Sequence, residues 1–148
     1  PNMATVFCFL TTDAPCDPAW LQRTLREVGD LSINMVDVDM DTSTSDTMLL
    51  LANGAAGGDP VSDGHPAAAA LRAAIEAVAI ALARDLARDG EGAHAMITVT
   101  AEGAATYEDA RIAARNWPSV IFPARKSPAP SRSSSTVDVA KAIPPSTK

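Results

Sequence analysis

One place in this chain puts a hydroxyl, a peptide bond and a small neighbour side by side. Thr5 follows Ala4 in PNMATVFCFL, directly ahead of the apolar run Val6-Phe7-Cys8-Phe9-Leu10. A threonine hydroxyl is a weak nucleophile near neutral pH and needs a base. A threonine that heads a chain carries its own base, because an α-amine with a pKa of about 7.7–8.0 can take the hydroxyl proton. To acquire that amine, the Ala4–Thr5 bond must be cut. The Thr5 hydroxyl would attack the Ala4 carbonyl, the acyl group would shift from nitrogen to oxygen, and water would release the upstream piece. Ala4 is small enough to leave room for that attack. A threonine opening a strand is also an ordinary structural residue, and spacing alone does not separate the two readings.

Other chemistry-bearing residues are less suggestive. Asp37, Asp39 and Asp41 have strand spacing and Asp46 follows them, but the run lacks the glycine and the closing glutamate of a calcium loop. It reads as a solvated or hydrogen-bonded turn. ANGAAGGD lacks both the Lys-Ser/Thr of a phosphate loop and the GxGxxG of a dinucleotide site, so it reads as a turn. No GxSxG elbow is present. Cys8 and Cys16 read as free thiols, Cys8 as a small core residue. His65 and His94 have no cysteine at ligand spacing, and no metal is expected. Glu91, just after Gly90, reads by itself as a solvated turn residue.

The net charge of −6 argues against general binding to nucleic acid or anionic membrane. No apolar run approaches the ~18 residues of a membrane span. No signal-peptide pattern opens the chain. Position 1 is Pro rather than Met, and the chain is read as a piece of a longer polypeptide.

The elements that must position these residues follow from periodicity. Residues 5–11 are apolar and β-prone and predict a buried strand. Asp17 caps a helix with Pro18 in its first turn, Trp20, Leu21, Leu25 and Val28 on one stripe, and Gly29 as its stop. A strand is expected over 35–39, a polar turn at 40–46 and a second strand over 47–52, closed by Asn53-Gly54 and Gly57-Gly58. The longest helix is expected over 66–89, with Leu71, Ile75, Val78, Leu82 and Leu86 as its buried stripe. HAMITVTAEG alternates as a strand, and TYEDARIAARNW follows as a helix capped by Thr106.

After Trp117 the character changes. Residues 118–148 hold six of the eleven prolines and seven serines, with five basic residues against Asp138. That is a net of +4, which leaves −10 on the body. The tail is expected to be mostly disordered, because it buries too little to offset its ordering entropy. The domain itself is expected over 5–117 as an α/β (α+β) layered sandwich, with 1–4 the remnant of an upstream half.

Three blocks carry a resemblance. PNMAT ahead of an apolar run, DMDTSTSDTMLLLANGAA and ARDGEGAHAMITVTAEGA resemble, in order, the self-cleavage motif and two later blocks of the ornithine acetyltransferases. These are the bifunctional glutamate N-acetyltransferases of arginine biosynthesis. Met40 stands where the family usually has Gly, and Ser45 where it usually has Asn. The resemblance implies a self-cleaving, N-terminal-nucleophile acetyltransferase fold, with the cut between Ala4 and Thr5. Thr5 would take acetyl from N-acetylornithine and pass it to glutamate through an acetyl-threonine intermediate. Glu91 would be a substrate-binding carboxylate.

No cofactor is implied, though some members also take acetyl from acetyl-CoA. The expected partner is the upstream half of the same precursor, two of each subunit forming a heterotetramer in the cytoplasm, or in the mitochondrial matrix in fungi. The family's oxyanion-stabilising Thr-Gly pair and a substrate-binding Lys belong to that upstream half. Two alternatives stay open. One is a truncated or frameshifted inactive fragment, and the other is a related amidohydrolase or aminopeptidase. The Glu91 block favours the transferase.

Overall fold

The computed structural model of the chain describes residues 6–37, 45–90, 95–115 and the backbone of 135–143. Strand β1 (Phe7–Thr12) leads into helix α1 (Pro18–Leu31). A 3₁₀ turn (Ile33–Met35) and the short strand β2 (Val36–Asp37) follow. Then come β3 (Thr47–Ala52), α2 (Ala68–Arg88), β4 (Ala95–Ala104), α3 (Tyr107–Arg115) and β5 (Ser135–Ile143). β1 and β3 form a parallel pair in which Phe7 faces Thr47 and Phe9 faces Leu49. A second sheet has the order β2-β5-β4, with β5 parallel to β2 and antiparallel to β4. This is the mixed α/β architecture the element order implied.

Alternation along β1 sorts its side chains. Cys8 and Leu10 are buried with Leu50 of β3, while Phe7, Phe9, Leu49 and Leu51 point away and stay exposed. The expected fully buried strand is therefore buried on one face only. The core beneath it joins Val6, Cys8, Leu10 and Leu50 to Val28 of α1 and to Ile75, Ala79, Ala83 and Ala87 of α2. A smaller cluster under α3 joins Ala110 and Ala114 to Met35, with Val99 and Ala101 of β4 packed against it.

α1 starts as its sequence predicts. Asp17 Oδ1 accepts the Trp20 N–H at 2.9 Å, and Pro18 occupies the first turn. It does not stop at Gly29. The helix runs to Leu31, and Ser32 closes it by donating its hydroxyl to the Val28 carbonyl at 2.6 Å. Gly29 lies inside the helix, where a Cβ would meet the Met48 sulfur at 3.5 Å, an ordinary van der Waals contact.

α2 is rotated from the expected stripe. Val78 and Leu82 are 53% and 40% exposed, whereas the buried line is Ile75, Ala79, Ala83 and Ala87. The reason is apposition. A line of alanines at i, i+4 spacing lets the helix axis come close to α1 and to the β2-β5-β4 sheet, and Leu71 and Leu86 fill its flanks. Arg72 reaches Glu27 of α1 at 2.9 Å and its own helix's Glu76 at 3.2 Å.

Within the span expected to be disordered, Ser135–Ile143 forms β5 and pairs with both of its neighbours. STVDVAKAI carries the β-branched residues Thr136, Val137, Val139 and Ile143, which suits a strand once β4 offers a partner edge. The rest of 118–148 lies outside the described residues, as does the expected strand beyond Asp37.

Candidate functional site

Ala4, Thr5 and Glu91 all lie outside the described residues. Their chain neighbours are described, and these converge. Val6 is bonded directly to Thr5, and Asp89 stands two residues before Glu91. Both line one cleft of about 540 Å³. Phe7, Cys8 and Phe9 of β1 and Ile33 of the 3₁₀ turn form one side of it. Leu82, Asp85 and Leu86 of α2 form the other. The start of β1 and the end of α2 thus bring described residues beside the first and third blocks to one cleft.

The second block meets the first by hydrogen bonds. The Val6 N–H donates to Asp46 Oδ1 at 2.7 Å, and the Thr47 N–H donates to the Val6 carbonyl at 2.8 Å. Asp46 is therefore a hydrogen-bonded residue at the head of β3. Asp37 is buried on β2, while Asp39 and Asp41 lie outside the described residues. The Gly-rich segment is a turn as expected, with Gly54 and Gly58 at φ of 70° and 91°, in the left-handed region. The same loop is tied back to α1 where the Asp17 N–H donates to the Val61 carbonyl at 2.9 Å.

The walls of the cleft are mostly apolar, with the Asp85 and Asp89 carboxylates among them. Asp85 also accepts from Arg88 at 3.0 Å. Cys8 is not a rival nucleophile, since burial pushes its thiol above the ordinary 9.0 and keeps it protonated near neutral pH. Cys8 and Cys16 are both free. His65 Nδ1 accepts the Ala67 N–H at 3.1 Å in the turn before α2. Among the described residues no three His, Cys, Asp or Glu side chains gather as a metal site. None of the described helices is long and apolar enough to cross a membrane.

The sequence reading missed Asp46 and Asp85. Asp46 was visible only as the last acid of an acidic run, and nothing in its spacing said that it faces Val6. Asp85 reads as one of several charged residues off the leucine line of α2.

A profile of the ArgJ family matches residues 1–119. The chain belongs to the ArgJ family. The arginine biosynthesis bifunctional protein ArgJ of Symbiobacterium thermophilum is 53% identical over 115 residues, covering 78% of this chain and 29% of that protein. The ArgJ of Geobacter sulfurreducens is 46% identical over 114 residues, covering 77% and 29%. The chain therefore spans about 29% of the length of these curated ArgJ relatives. The crystal structure of arginine biosynthesis bifunctional protein ArgJ from Bacillus halodurans superposes with a TM-score of 0.73 at 37% identity. The match covers 76% of this chain and 53% of that one. The ArgJ assignment agrees with the three sequence blocks, and the likeness to the Bacillus halodurans ArgJ carries the fold.

Proposed function

We propose that this chain is the nucleophile-bearing portion of an acetyltransferase of arginine biosynthesis, with Thr5 as the nucleophile and Ala4–Thr5 as the bond that is cut. The observation that carries this reading is the cleft shared by the neighbours of Thr5 and Glu91. Self-cleavage gives an ester between Thr5 Oγ1 and the Ala4 carbonyl, which water hydrolyses to leave a free Thr5 amine. That amine then takes the hydroxyl proton as Oγ1 attacks the acetyl carbonyl of N-acetylornithine. The C–N bond breaks, the proton passes to the departing amine, and ornithine leaves an acetyl ester on Thr5. The amine of glutamate attacks this ester, and Thr5 regains its hydroxyl. Acetyl-CoA would enter at the same acylation step, with its thiolate as the leaving group.

The cleft chemistry supports such substrates. Apolar walls suit an acetyl methyl and an aliphatic chain, and the carboxylates of Asp85 and Asp89 suit an ammonium group. The substrate carboxylates are assigned in this reading to the upstream half, to which the resemblance gives a substrate-binding Lys. That half is also the partner this reading assigns to the open face of β1–β3. A parallel pair is normally covered on both faces, yet Phe7, Phe9, Leu49 and Leu51 are exposed. The portion of ArgJ length that the chain does not span supplies an occupant. A heterotetramer of two upstream and two downstream subunits, in the cytoplasm, completes the reading.

The test is mass spectrometry of the chain produced with its upstream half. Loss of residues 1–4 and an acetyl adduct on Thr5 after addition of N-acetylornithine are expected. Thr5→Ala should abolish both, and unchanged processing in that variant refutes the assignment.

A further inference from the structure

We propose that Asp46 is a positioning residue for the nucleophile, acting through the amide of Val6; this rests on the reading of Thr5 given above. The register that pairs Phe7 with Thr47 places Val6 opposite Asp46. In an unbroken parallel ladder the Val6 N–H would donate to the backbone carbonyl of residue 45. Here the Val6 N–H donates to the Asp46 carboxylate at 2.7 Å, and the Thr47 N–H donates to the Val6 carbonyl at 2.8 Å. A carboxylate makes a shorter and stronger acceptor than a peptide carbonyl. The peptide unit joining residues 5 and 6 is planar, so fixing the Val6 N–H fixes the plane that contains the Thr5 carbonyl carbon. Only the torsions of residue 5 itself then separate this anchor from the hydroxyl. Acyl transfer needs its reacting atoms held near attack geometry, and small displacements are costly.

The expected pattern distinguishes an acceptor at a fixed point from a residue that merely supports the fold. In the full precursor that carries this chain, Asp46→Ala should slow self-cleavage and lower kcat by about 10- to 100-fold. KM for N-acetylornithine should stay unchanged, because the lost interaction orients the reacting group and does not bind substrate. Asp46→Asn keeps an oxygen at the same place and should restore most of the rate lost in Asp46→Ala. Asp46→Glu keeps the charge but moves the oxygen by one methylene, and should remain slow at an unchanged melting temperature. If Asp46→Ala fails to fold, the contrast between Asn and Glu decides. Parental rates in Asp46→Ala, an Asn variant as slow as the Glu variant, or a loss confined to KM would each overturn the proposal. Thr5→Ala separates the two readings. If it still cleaves, the nucleophile assignment is wrong. If it is inert while Asp46→Ala runs at full rate, only the positioning role is wrong.

Discussion

Replacing Phe7 and Phe9 together by threonine should separate assembly from folding. The two rings are 68% and 59% exposed, so with about 200 Å² each they hold roughly 250 Å² against water. At about 25 cal/mol per Å², covering them is worth roughly 6 kcal/mol. Threonine keeps about a third of that area, so the double substitution should remove ~4 kcal/mol from docking, or about a thousandfold in Kd. The chain itself should change by under about 1 kcal/mol, because the substituted face is open and threonine is at home in strands. Isothermal titration against the upstream half reads the first quantity, and urea melts followed by circular dichroism read the second. A double variant that binds as tightly as the parent would refute the assignment of this face. So would one that loses affinity only because it unfolds.

Three tests besides this one concern the interior. Ala79 is fully buried and Val78 is half exposed, so Ala79→Leu should cost about 1–3 kcal/mol by overpacking while Val78→Ala stays within about 0.5 kcal/mol. Denaturant melts that reverse this order would show that α2 is rotated from the position described. Iodoacetamide should label half-buried Cys16 in the folded chain and reach Cys8 only on unfolding, with the labelled residue read by peptide mass. Burial favours the neutral Cys8 thiol, so its folded pKa lies above the ordinary 9.0. The stability it contributes is complete below that value and is lost as pH rises through the raised one. The urea midpoint of the parent should therefore fall in alkali more steeply than that of Cys8→Ala, and parallel slopes would count against it.

The helices and strands were largely legible because capping and periodicity are local. Asp17-Pro18 marked the start of α1, and alternation marked β4. Rotation and termination were less legible, because tertiary contacts decide them. α2 is apolar nearly all round, so its sequence offers both a leucine line and an alanine line. The closeness of α1 and of the β2-β5-β4 sheet selects the alanines. Gly29 looked like a stop, but α1 runs on to Leu31 and Ser32 does the stopping. β5 was missed because its partners are remote in sequence, Ala95 of β4 facing Ile143 and Val36 of β2 facing Ala140. The site was legible as motifs and not as geometry. The blocks named Thr5 and Glu91, but only the folded chain shows that their neighbours share a cleft. The link from Asp46 to Val6 spans forty residues and has no local signature.

The clasp on Val6 also bears on what a chain break would do to the fold. New chain ends usually fray, since their backbone groups exchange protein partners for water. Among the described residues the first bonds to the 46–47 corner are made by Val6, downstream of a scission ahead of Thr5. The freshly charged end would emerge on a strand already moored at its next residue. Val6, the residue after the new end, would keep both its bond to Asp46 and its bond to Thr47.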